Sequence, residues 1–140
     1  MTTTPSQRSE ADPVVFACGL TMKNRFMLAP LTNCQSHEDG QLSQDEFHWL
    51  TERARGGFGL TMTCAAHVQR IGQGFPGQLG VYSDQLLGGH KRLAAAIQAY
   101  GSLAVVQLHH AGMRSPQELI GEPAVSPSGD SETGSRALEL

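Results

Sequence analysis

The order of apolar runs and helical segments in this chain predicts an α/β fold built on a parallel sheet. Two observations carry that reading. Short apolar runs at residues 26–29, 60–65 and 103–108 show little alternation, as expected of strands buried on both faces of a parallel sheet. Two helical patterns fall between them, giving strand, helix, strand, helix, strand, the order of βαβ units.

An earlier segment, residues 14–16 and 20–22 about Cys18-Gly19, has the form of a small hairpin. The first helix is expected over residues 44–55. Ser43 and Glu46 form a Ser-x-x-Glu capping box, and Phe47, Leu50 and Ala54 recur at helical spacing. Arg53 and Arg55 stand in the last turn, where the helix dipole favours cations, and Gly56-Gly57 ends it. The second helix is expected over residues 84–100, with Ser83 as N-cap and Gly101 as the stop. Its buried face would be Leu86, His90, Leu93, Ile97 and Tyr100. Beyond the third strand, residues 126–135 form a polar loop, and residues 136–140 read as the first turn of a further helix.

The connections are unequal. Helix-to-strand links are short, at residues 56–59 and 101–102, whereas strand-to-helix links are long, at 30–43, 66–83 and 109–135. In a parallel α/β fold the long loops then gather at the carboxyl ends of the strands, where such folds place chemistry.

Composition narrows the function classes. The chain has 140 residues and a net charge of −3, with no run of Lys or Arg. Nucleic acid and anionic membrane surfaces are therefore not expected partners. No apolar stretch approaches the roughly 20 residues of a membrane span. Residues 1–12 are rich in Thr and Ser and lack the cationic head and apolar segment of a secretory signal; a disordered lead-in is expected there, with one domain over residues 13–140. The three cysteines, Cys18, Cys34 and Cys64, are odd in number and irregularly spaced. That argues against a disulfide framework and for a reducing, cytoplasmic setting.

Candidate chemistry lies at the strand ends. Pro30-Leu31-Thr32 follows the first strand, where proline fixes the backbone and a flat aromatic ligand could lie; from this tripeptide alone Thr32 reads most simply as an ordinary first residue of a loop. Ala65 closes the second strand. Cys64-x-x-His67 has the form of half a metal site, but no second half stands at suitable spacing, so no metal is expected. Gln107, near the end of the apolar third strand, carries a donor and an acceptor side by side. A glutamine there is either satisfied by a neighbouring loop or turned to a ligand. His109 and His110 read most simply as polar strand-end residues. The glycine-rich stretch 72–80 lacks the lysine of a phosphate loop and opens no helix directly.

Taken together, three segments resemble the first three strand ends of the Old Yellow Enzyme family, the FMN-dependent ene-reductases of the NADH:flavin oxidoreductase group. They are Asn24-Arg25-Phe26-Met27-Leu28-Ala29-Pro30-Leu31-Thr32, Gly59-Leu60-Thr61-Met62-Thr63-Cys64-Ala65 and Val106-Gln107-Leu108-His109-His110-Ala111-Gly112. The resemblance runs from about residue 14 to the last residue. It implies a partial TIM (β/α)8 barrel, about the first three βα units with an N-terminal hairpin. A complete barrel takes roughly 250 residues, so this chain reads as a truncated N-terminal portion. The resemblance also implies that Ala29, Pro30, Leu31, Thr32, Ala65 and Gln107 meet FMN. Thr32 would bond the flavin C4 carbonyl, Ala65 would bring its backbone near the ring, and Gln107 would match the pyrimidine edge. His110 matches the family's histidine in Gln-Leu-x-His-x-Gly-Arg, although Met113 replaces the usual arginine and Arg114 follows. Cys64 stands where the family often has glutamate.

In the intact family the flavin takes hydride from NAD(P)H and passes it to the β-carbon of an activated alkene such as an enone. The phosphate grip, the substrate anchors and the tyrosine proton donor come later in the family's sequences, so no catalytic residue is assigned here. The implied partner is a complementary chain, or further copies of this one, completing the barrel. Two other readings stay open: a non-catalytic fragment or interaction subunit, and a small independent α/β protein with another ligand at the same loops.

Overall fold

The computed structural model describes residues 8–138; the rest of the expected lead-in, residues 1–7, lies outside them. Within the lead-in, residues 9–12 form a turn. The Asp12 carboxylate accepts the Ser9 N–H at 2.8 Å, and the Glu10 carbonyl accepts the Arg25 N–H at 2.8 Å. A two-stranded antiparallel hairpin follows, β1 (Val14–Val15) and β2 (Thr21–Met22).

Three parallel strands make the central sheet in the order β3 (Met27–Leu28), β4 (Leu60–His67) and β5 (Leu103–His109). Helix α1 (Gln44–Arg55) connects β3 to β4, and α2 (Leu87–Gln98) connects β4 to β5. Sequential βα units with parallel neighbours are what the alternating pattern demands. The helices pack on one face of the sheet, where Leu28, Leu50, Ala54, Leu93 and Ile97 form a closed apolar cluster flanked by Phe47, Trp49 and Ala104. Leu50 and Ala54 are fully buried, as their spacing in α1 predicts.

The helix ends show local chemistry at work. The Ser43 hydroxyl accepts the Glu46 N–H at 3.0 Å and so caps α1. The reciprocal half of the expected capping box is not made. The Glu46 carboxylate points into the protein, where it accepts the Ser36 hydroxyl and, at 2.8 Å, the Cys64 thiol. Two buried donors hold a carboxylate more firmly than one backbone amide at the helix rim. The second helix also departs from expectation: Asp84–Leu86 is a 3-10 turn and α2 proper starts at Leu87. The Ser83 hydroxyl takes the Gln85 N–H only two residues on, and the Leu86 N–H bonds the Ser83 carbonyl, which tightens the first turn. Leu86, Leu93 and Ile97 are buried as predicted, but Tyr100 is exposed, because α2 ends at Gln98 and the chain leaves the helix before Tyr100, turning through Gly101 with φ +66°.

The tail gives the clearest correction. The expected helical turn is not formed at residues 136–138; β7 (Arg136–Ala137) pairs in parallel with β6 (Val125–Ser126), after the short helix α3 (Gln117–Ile120). The Asp130 carboxylate accepts the Glu132 and Thr133 N–H groups, closing a turn that returns the chain toward β6. Arg136 and Leu138 then donate their N–H groups to Ala124 and Ser126. Residues 139 and 140 lie outside the described residues. The sheet is also less buried than continuous apolar runs suggest. Leu108 is 67% exposed and Met27 48% exposed, because helices cover one face and leave the far end of β5 bare.

No helix among the described residues is long and apolar enough to cross a membrane.

Candidate functional site

The long loops gather at the carboxyl ends of β3, β4 and β5 and are bonded to one another. The Ser36 N–H donates to the Gly77 carbonyl at 3.0 Å, the Gly80 N–H to the Gly40 carbonyl at 2.9 Å, and the Tyr82 hydroxyl to the Asp39 carbonyl at 2.8 Å. Gly77 is required there. Its φ is +68°, and a Cβ would sit 2.5 Å from the Cys34 carbonyl oxygen. Cys34 itself adopts φ +52°, uncommon for a residue with a side chain, in the loop that follows Thr32.

A bulge in β4 decides what faces the site. Met62 pairs with Val105 and Ala65 with Gln107, so Thr63 and Cys64 together oppose Val106. The Thr63 hydroxyl fills the break, accepting the Gln107 N–H at 3.2 Å and donating to the Cys64 carbonyl at 2.7 Å. Side chains alternate along a strand, and one extra residue reverses the alternation beyond it. Thr61 and Ala104 share the helix-facing side. The bulge keeps Cys64 and Ala66 on that side, in a cluster with Leu79. Ala65 thereby joins Gln107 on the opposite, inner face of the sheet.

Gln107 is half-buried, and its side-chain amide has no hydrogen-bond partner among the described residues. Of the readings left open for it, a bond to a neighbouring loop is therefore not made. Ala29, Leu31 and Thr32 are exposed and Pro30 is half-buried, in the segment leaving β3. The structure thus pairs Ala65 with Gln107 and sets the segment 29–32 at the carboxyl end of β3, on the other side of β4.

Sequence reasoning missed Gln78, which is fully buried. Its Oε1 accepts the Gly74 N–H at 2.7 Å, and its Nε2 donates to the Ala65 carbonyl at 2.9 Å and meets His109 Nδ1 at 3.1 Å. The glycines around it in the sequence signal a loop and nothing of this role. His110 is tied separately: its Nδ1 accepts the Gly112 N–H at 2.9 Å, and its Nε2–H donates to Gln69 Oε1 at 3.1 Å. Gly72 makes room for that ring, since a Cβ there would approach it to 2.5 Å. His110 therefore holds loops together, the simpler of its readings.

Behind the sheet, Glu46, Ser36 and Cys64 form a buried cluster. Burial, reinforced by the neighbouring Glu46 carboxyl, pushes the Cys64 thiol pKa up, so it stays protonated and inert. His67 is buried against the Tyr82 ring, with centroids 4.8 Å apart. Its Nδ1–H donates to the Gln69 carbonyl at 2.9 Å and its Nε2 has no partner. Burial lowers its pKa below the ordinary histidine value, favouring the neutral ring. Cys64 and His67 thus serve different partners. The described residues contain no group of three or more His, Cys, Asp or Glu that could hold a metal ion.

Comparison with known proteins gives a consistent result. The NADH:flavin oxidoreductase / NADH oxidase family matches residues 12–138. The probable NADH-dependent flavin oxidoreductase YqiG of Bacillus subtilis (strain 168) is 39% identical over 125 residues, 89% of this chain and 33% of that protein. The NADH:acrylate oxidoreductase of Vibrio harveyi is 36% identical over 118 residues, 84% of this chain and 12% of that protein. Among solved structures, the old yellow enzyme homologue from Zymomonas mobilis aligns with a TM-score of 0.79 at 28% identity, over 88% of this chain and 34% of that one. The chain spans about a third or less of the length of these relatives. With its parallel α/β fold and the family match over residues 12–138, the chain belongs to the NADH:flavin oxidoreductase / NADH oxidase family, of the Old Yellow Enzyme type.

Proposed function

We propose that this chain supplies the ring-binding portion of an FMN-dependent oxidoreductase that uses NAD(P)H to reduce activated C=C bonds such as those of enones. The observation that carries the reading is the free Gln107 amide, paired beside Ala65 on the inner face where the long loops gather. Its donor and acceptor complement the N3–H and carbonyl oxygens of a flavin pyrimidine edge. A bound flavin would supply the hydride chemistry, which is the cofactor's own. The protein's part is to hold and tune the ring: Gln107 at the pyrimidine edge, Thr32 as a hydroxyl donor, Ala65 and the segment 29–31 as walls against it. The donor set fits the ring. The alkene class draws support from a relative named for acrylate, a conjugated alkene.

A complementary chain, or another copy of this one, would complete a barrel of which these strands form one sector. Leu108, Val106, Phe26 and Leu31 are 67%, 37%, 54% and 54% exposed, and such large apolar side chains favour being covered. By this reading the chain is inactive alone. Its three free cysteines fit a reducing cytoplasm.

The test mixes the chain with the remainder of a homologous barrel and FMN. A yellow complex that oxidises NADH or NADPH when an enone is added is expected. The Gln107→Leu variant should fold equally well yet bind FMN about 10-fold more weakly, on the order of 1.4 kcal/mol. Failure of the mixture to retain flavin, or unchanged FMN affinity in the variant, would overturn the assignment.

A further inference from the structure

The hydrogen bonds around Gln78 determine where the ring proton of His109 sits. A glutamine amide is ambiguous when its partners are also ambiguous. Here both ends are pinned by backbone groups that cannot change role. The Gly74 N–H can only donate, so the atom it meets at 2.7 Å is the amide oxygen. The Ala65 carbonyl can only accept, so the atom 2.9 Å from it is the amide nitrogen. That nitrogen carries two hydrogens. One goes to Ala65, and the other faces His109 Nδ1 at 3.1 Å. Nδ1 must therefore accept, and the neutral imidazole carries its proton on Nε2.

The free end of His109 is available. His109 stands two residues beyond Gln107 on β5, hence on the same inner face. The buried side-chain atoms without a partner are Asn33 Nδ2, Gln35 Oε1, His67 Nε2 and Ser115 Oγ among the described residues. His109 Nε2 is not one of them and makes no hydrogen bond there, so solvent or a ligand reaches it. His67, its register partner, carries the opposite tautomer, with Nδ1–H bonded to a carbonyl and Nε2 bare. The two neighbouring imidazoles thus differ in function: one is locked inward and the other offers an N–H outward.

We propose that Gln78 is a positioning residue that fixes His109 as the Nε2–H tautomer, and that His109 donates this hydrogen to an oxygen of the alkene substrate beside the flavin ring. The proposal rests on the flavin-ring reading of Gln107. The fitting substrate class is a conjugated alkene bearing a carbonyl or carboxylate oxygen, since a neutral N–H donor polarises such an oxygen without transferring a proton to it. Gln78 acts at one remove, because loss of its amide frees the ring to exchange tautomers and lowers the fraction of time the donor is in place.

The test needs no flavin at its first step. Long-range ¹⁵N–¹H correlation spectra of the ¹⁵N-labelled chain, at about pH 8 to stay above the ordinary histidine range, report each ring's tautomer. His109 is expected as Nε2–H and His67 as Nδ1–H; His109 as Nδ1–H, or a fast average of both forms, overturns the proposal. This measurement uses the unaltered chain and stands whether or not a variant folds. In Gln78→Glu the carboxylate would accept from Nδ1–H, so the His109 signals should move to the other tautomer. The second step adds sodium acrylate to the FMN-loaded completed barrel. The His109 Nε2 resonance should shift, and Gln78→Glu should abolish the shift while FMN stays bound. An unmoved resonance overturns the substrate contact. Failure to bind FMN instead refutes the ring-site reading and leaves the tautomer assignment intact.

Discussion

The two faces of the three-stranded sheet differ in what they do. The helix-facing side is covered by α1 and α2 as far as the bare end of β5, and the cluster it packs is apolar and buried: Leu28, Leu50, Ala54, Leu93, Ile97. The inner side carries Met27, Ala65, Gln107 and His109, half-buried or exposed, and the Gln107 amide and His109 Nε2 make no hydrogen bond among the described residues. Packing is thus concentrated on one face and the candidate site on the other. The bulge at Thr63 and Cys64 is the device that sorts residues between them, sending the thiol to the packed side and Ala65 to the open one.

That division is open to direct attack. The largest effect should come from the packed face. Leu50→Ala removes a fully buried side chain and is expected to cost about 3 kcal/mol, while Met27→Ala on the open face should cost less than about 1 kcal/mol. Urea denaturation of the two variants measures the contrast, and equal losses would break it. Next comes Glu46→Ala, which leaves the Ser36 hydroxyl and Cys64 thiol without their shared acceptor. A loss of about 2 kcal/mol is expected. The same variant should speed Cys64 alkylation under native conditions, as mass spectrometry would show, whereas exposed Cys18 and Cys34 should react as before.

The smallest effect is a pH dependence. His67 has a lowered pKa in the folded chain, chiefly through burial, so the unfolded chain takes up its proton first as pH falls. The contribution is complete above the ordinary histidine value of about 6.5 and is lost as pH drops below it toward the folded pKa. Thermal melts of the chain at a series of pH values should show that decline. His67→Gln should flatten it; a decline of equal steepness in that variant would place its origin elsewhere.

Much of the fold was legible because its signals are local. Helix α1 runs over Gln44–Arg55 as predicted, since the Ser43 cap, the apolar spacing and the terminal glycines all lie within a few residues of each other. The three parallel strands and the hairpin emerged for the same reason. Of the candidate site, the strand ends and the singular position of Gln107 could be read, because a glutamine stands out on an apolar strand. The fate of residues 136–138 could not. A polar loop followed by Arg-Ala-Leu suits a helical turn locally, and only pairing with β6 makes it a strand.

The sequence by itself determined the βαβ order, the register of apolar faces along each helix, and the gathering of long loops at one end. Tertiary structure alone decided that Glu46 turns inward, that Thr63 bridges a bulge, and that Gln78 reaches across the loops to Ala65 and His109. Helix caps and apolar periodicity act over one or two turns, so their energy is written into neighbouring residues. A buried amide or carboxylate goes wherever the folded chain offers it partners. For Gln78 and His109 those partners stand 31 residues apart.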